Sequence, residues 1–253
     1  MVEHTRAHPR LKEVSPPGRR EKLELGELFI PRGLRPTTLL VFFHGGIWLP
    51  EYAGARNRMA VLAVQAGSGS ASYARLFTDE TRFSALIKEA ETQAGLRFSR
   101  VILGGWSAGC GAVRQILRAP DGYARTWAVV LIDGIHTDYE NGHAGPLESQ
   151  LSLDNLEIWE KYFHDAIKGR KRAIVTHSEI FPGTFASTTE TADYLVRALD
   201  LKQRTILKWG PMKTQQLSEV KVGKLLIMGF AGNSAPDHVD QLHSLPDYLK
   251  LLR

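Results

Sequence analysis

Val101-Ile-Leu-Gly-Gly-Trp-Ser-Ala-Gly-Cys-Gly-Ala-Val-Arg114 runs from an apolar stretch into a glycine-rich turn and then into helical spacing. At its centre Gly105-Trp106-Ser107-Ala108-Gly109 reads G-x-S-x-G. A sharp strand-to-helix turn crowds the backbone, so the positions around the serine must lack bulk. Such a turn lifts the serine Oγ above the sheet edge, and the helix N-terminus behind it favours developing negative charge. The backbone N–H of Ala108 is then placed to donate to an oxyanion. Cys110, one turn into the helix and the only cysteine of the chain, reads as a small residue packed under the turn. A single cysteine also excludes an intramolecular disulfide and a CxxC metal site.

Working outward, the same alternation repeats. Apolar runs predict strands over Leu23–Ile30, Thr38–Phe43, Ala60–Gln65, Arg100–Gly104, Trp127–Ile132, Arg172–Thr176 and Lys224–Phe230. Most lack in/out alternation, the pattern of parallel strands buried on both faces. Helical spacing predicts helices over Asp79–Ala94, Ala108–Arg118, Asp154–Lys168, Thr188–Leu199 and Val239–Leu252. The expectation is an α/β fold, a single domain over residues 22–253 with a mostly parallel central sheet, helices on both faces and no large cap domain. The longest insertion, Gly134–Leu153, suffices only for a short flap. Residues 1–21, broken by Pro9, Pro16, Pro17 and Gly18 and rich in arginine, are expected to form a flexible basic arm. No apolar h-region follows Met1, so the chain is expected to be cytoplasmic, or secreted if a leader has been removed.

Composition excludes several classes. Of 253 residues, 43% are hydrophobic and 23% charged, which rules out disorder and collagen for the whole chain. No stretch approaches the ~20 apolar residues of a membrane span. The net charge of +5 is not clustered, so no nucleic-acid partner is expected.

In a wound sheet the residues just beyond the strand ends bind ligands. His44-Gly45-Gly46 follows one strand, where glycines let an N–H of Gly46 or Ile47 approach the same oxyanion as Ala108. His44 is expected to brace this loop. Trp48 and Trp106 flank the serine as a candidate aromatic floor for an acyl or aryl group. Serine needs a base, and His238, in the loop after the last strand, is the best placed. His243 is expected on the surface of the following helix. Asp133 and Glu179, each after a strand, are rival acids to orient the imidazole. Glu190 reads as part of a helix cap. His44, Asp133, His136, His177 and His238 share strand tips, but no H-E-x-x-H or comparable pairing appears, so no metal is expected.

On His44-Gly45-Gly46, Gly105–Gly109 and the late His238, residues 22–253 resemble the α/β-hydrolase superfamily. The lipase-esterase pattern often carries a third loop glycine where Ile47 stands. The resemblance implies a Ser–acid–His triad in that chain order, a two-N–H oxyanion hole, no cofactor, and hydrolysis of small or polymeric esters. Amide or peptide hydrolysis by the same triad, and a non-catalytic binding member of the fold, are the alternatives. In the family the acid more often follows the strand after that of Asp133, which keeps Glu179 open.

Overall fold

The computed structural model describes residues 7–142 and 150–252. In chain order the elements are β1 (Gly18–Lys22), β2 (Glu27–Pro31), β3 (Thr38–Phe43), α1 (Trp48–Asn57), β4 (Ala60–Val64), α2 (Ser70–Arg75) and α3 (Thr81–Ala94). Then come β5 (Arg100–Trp106), α4 (Cys110–Arg118), α5 (Pro120–Arg125), β6 (Thr126–Ile132), α6 (Glu157–Ile167) and β7 (Arg172–Ser178). The chain closes with α7 (Thr188–Ala198), β8 (Arg204–Trp209), β9 (Gln215–Val222), β10 (Leu225–Phe230), α8 (Ala235–His243) and α9 (Leu245–Lys250).

The strands form one sheet in the order β1-β2-β4-β3-β5-β6-β7-β10-β9-β8. Its centre, from β4 to β10, is parallel. Antiparallel strands close both edges. Along β3, Leu39, Val41 and Phe43 face one core while Leu40 and Phe42 face the other. The first core is completed by Phe83, Val113, Trp159 and Leu195 of α3, α4, α6 and α7. The second is completed by Leu49, Leu242 and Tyr248 of α1, α8 and α9. Burial on both faces explains the unbroken apolar runs. The chain winds from β3 outward to β4 and from β5 the other way, so it reverses direction between β3 and β5. That reversal opens the crevice in which such sheets bind ligands.

Several elements differ from the sequence expectation. The expected helix over Val239–Leu252 breaks at Ser244 into α8 and α9. Pro246 has no N–H to give and its ring crowds the preceding turn. The hairpin β8–β9 was not expected, because β8 is almost wholly exposed and carries no apolar run. The boundary at residue 22 falls inside the sheet. Gly18–Lys22 pair with Glu27–Pro31, and Arg20 hydrogen-bonds the buried Glu51 carboxylate of α1 at 2.6 and 2.9 Å. Upstream, His8 and Arg10 bind the Asp240 carboxylate at 2.6 and 3.1 Å, and Leu11 N–H donates to His243 Nδ1. His243 is thus a buried anchor and not a surface residue. Of the expected flap Gly134–Leu153, residues 143–149 lie outside the described residues. Among the described residues no helix is long and apolar enough to cross a membrane.

Candidate active site

Ser107 follows the last residue of β5 directly, with φ of 49°. A serine in this left-handed region is strained and is held by its surroundings. A single 3₁₀ turn, Ser107–Gly109, then leads into α4. A Cβ on Gly109 would collide with the Phe43 carbonyl, so the turn is pressed against the end of β3. The chain leaving β3 there takes three consecutive positive φ values, 73°, 94° and 86° at His44, Gly45 and Gly46. Ala108, Gly46 and Ile47 therefore lie on two turns that touch, one after β3 and one after β5. Ile47 begins α1 as its N-cap, and Trp48, its first residue, packs edge-on against His243.

Asp133 closes β6 with φ of 44°, and its N–H crosses to Thr176 of β7. Its side chain is 2% exposed. Three donors surround it. His238 Nδ1 is 2.7 Å from Oδ2, Ser178 Oγ donates to Oδ2 at 2.7 Å, and Thr188 Oγ1 donates to Oδ1 at 2.6 Å. Burial works to raise this carboxyl, but His238, Thr188 and Ser178 outweigh it and hold it below the usual carboxylate range. The next residue, Gly134, packs directly against the Ser107 turn. A Cβ there would lie 2.5 Å from Ser107 O and 2.6 Å from Cys110 Sγ.

His238 stands in the first turn of α8, and not in a loop. That turn is fixed by a capping box, with Ser234 Oγ accepting from Asp237 N–H and Asp237 reaching back to Ser234. Among the described residues no hydrogen bond joins Ser107 Oγ to His238. The rival acid Glu179 lies elsewhere. It is exposed and accepts from Gly232 N–H at 3.2 Å, bracing the loop ahead of α8.

Sequence reasoning missed the two hydroxyls on Asp133. Ser178 ends β7 and Thr188 opens α7, and only the packing of α7 brings them together. Glu190, besides capping α7 with Ser187, accepts from the Tyr139 hydroxyl at 3.0 Å. Cys110 is fully enclosed and donates to Gly105 O at 3.3 Å, and burial pushes its thiol up, away from reactivity.

The other strand-tip histidines have separate duties. His44 Nδ1 is 3.0 Å from the Tyr73 hydroxyl, and burial, then the charge of His238, keeps its ring below the usual histidine pKa. His136 is half-buried, its ring edge-on to Phe185, and desolvation pushes it down to about 4. His177 Nδ1 lies 2.9 Å from Thr189 Oγ1. Among the described residues, one group, His8, Asp237 and Asp240, brings ligand-type atoms within 4.8 Å of one another, and Asp240 there is held by Arg10.

No protein-family model and no curated protein matches the sequence. Solved structures do. An esterase of Pyrobaculum calidifontis superposes with a TM-score of 0.56 at 12% identity, covering 94% of this chain and 85% of its own. The ester-hydrolase EH1AB1 from the metagenome of Lake Arreo gives 0.53 at 13% identity, covering 95% and 84%. The α/β hydrolase LAE6 from the same lake gives 0.50 at 14%, covering 94% and 83%. Similarity over nearly the whole length of both partners, with the sheet order and the strand-tip site described above, shows that this chain has the α/β-hydrolase fold.

Proposed function

We propose that the protein is a serine hydrolase of carboxylic esters, with Ser107 as nucleophile, His238 as base and Asp133 as the acid that orients it. The observation that carries this reading is the 2.7 Å bond from His238 Nδ1 to the buried Asp133, at the same sheet edge as the strained Ser107 turn. With Nδ1 engaged, Nε2 is the nitrogen left to serve as the base. The structural neighbours named esterases and ester hydrolases favour the same chemistry.

In this mechanism His238 Nε2 takes the Ser107 proton as Oγ attacks the ester carbonyl. Ala108 N–H, with an N–H of Gly46 or Ile47, holds the oxyanion, each donor worth about 3–4 kcal/mol. The imidazolium, steadied by Asp133, gives its proton to the leaving alcohol. A water deprotonated by His238 then attacks the acyl-enzyme and releases the acid. Nothing in these steps requires a cofactor. Small or polymeric esters are the substrate class.

Turnover of p-nitrophenyl esters tests the proposal. Ser107→Ala is expected to lower kcat by about 10³–10⁶-fold with unchanged circular dichroism. Equal slow turnover by both proteins would replace the enzyme with a binding protein.

A further inference from the structure

Trp106 does more than flank the serine. Its indole centroid is 4.5 Å from the His238 ring, tilted by 33°. Its Nε1–H donates to the carbonyl of His238 itself at 3.1 Å. A second imidazole, that of His44, stacks on the same indole at 5.1 Å and 14°. The indole is half-buried, with two protein rings against it.

We propose that Trp106 is a positioning residue for the base: it fixes the His238 backbone through its N–H and steadies the imidazolium of the transition state with its π face. This rests on the esterase reading above and deepens it. A cation within about 6 Å of an indole centroid is attracted to the ring quadrupole, and tryptophan is the strongest such partner. Only one of the two imidazoles on this indole is built to carry that charge. His238 has a carboxylate, Asp133, on Nδ1, whereas His44 has a neutral phenol, Tyr73, and lies where His238's charge opposes its own. Among the described residues, the ionisable groups facing His238 are Asp133 just beyond β6, His136 of the same loop and His44 of the loop after β3. Asp237, its neighbour on α8, bonds Ser234. Among the described residues Asp133 is the only anion in direct contact, so the indole is the second stabiliser of the cation.

Trp106→Leu removes face and donor, and Trp106→Phe keeps a face and loses the donor. In Trp106→Leu the expected kcat is about 10–100-fold lower with KM within about twofold. The acid limb of kcat/KM is expected to move to lower pH by about half a unit or more. In Trp106→Phe the acid limb should stay near wild type while kcat falls several-fold. A raised KM with unchanged kcat and an unmoved acid limb overturns the proposal and returns Trp106 to substrate contact. Should Trp106→Leu not fold, Trp106→Phe decides by the same kcat and KM split. Failure of the esterase reading is separate: it would show as no turnover difference between wild type and Ser107→Ala.

Discussion

Thr188 Oγ1 donates to Asp133 Oδ1 at 2.6 Å while His238 Nδ1 takes Oδ2 at 2.7 Å, so the carboxylate is gripped on both oxygens. A hydrogen bond to a charged group is worth about 1.5–3 kcal/mol. Thr188→Val keeps the shape and removes the donor. The expected result is a comparable loss of stability in urea and a kcat about tenfold lower, with Thr188→Ser restoring both. Full activity in Thr188→Val would show that Ser178 and His238 hold the acid without it.

The two rival acids separate in one experiment. Asp133→Asn is expected to lower kcat by about 10²–10⁴-fold, because the amide no longer stabilises the imidazolium and favours the wrong tautomer. Glu179→Gln keeps an oxygen able to accept from Gly232 N–H and is expected to stay within a few-fold of wild type. The reverse pattern in steady-state kinetics would reassign the role.

Asp133 also sets an acid limit on stability. Its folded pKa lies below the ordinary carboxylate value, so the unfolded chain takes up its proton first as pH falls. The stabilisation is fully present above about pH 4, the unfolded value, and is lost as pH drops through the lower folded value. Urea midpoints measured from pH 6 down to pH 3 should fall more steeply for wild type than for Asp133→Asn. Parallel curves would contradict the assignment.

Gly134 is the point where the Asp133 and Ser107 turns meet. Alanine there puts a Cβ 2.8 Å from Ser107 N and 2.6 Å from Cys110 Sγ, against backbone that cannot yield. Overpacking of this kind costs about 1–3 kcal/mol. A lower melting temperature and slower fluorophosphonate labelling of Ser107 are expected for Gly134→Ala. Wild-type labelling would mean that the turn relaxes without cost to the nucleophile.

Much of this architecture is legible in the sequence, for a physical reason. The central strands bury both faces, so Thr38–Phe43 and Trp127–Ile132 read as unbroken apolar runs whatever surrounds them. The edges read poorly. β1 is Gly-Arg-Arg-Glu-Lys, held by its ladder to β2 and by Arg20 on Glu51, and neither leaves a hydrophobic trace. In the site, Gly105–Gly109 announces its turn because glycine is demanded by contact. Asp133 and Glu179 cannot be told apart by pattern, since each simply follows a strand. Their difference lies in register and rotation: Asp133 turns inward at φ 44° toward Thr176, and Glu179 points to the loop before α8. The duty of Trp106 is hidden for a similar reason, because its partner His238 is 132 residues away.

The tie between His8 and Asp240 joins residues 232 positions apart, and Asp240 sits two residues beyond His238. Opening the first stretch of the polypeptide therefore strips His8 and Arg10 from a fully enclosed carboxylate, on the very helix that carries His238. Warming should consequently fray the chain's beginning and extinguish catalysis while the central sheet still stands. Inactivation would then report on a local opening and not on global melting.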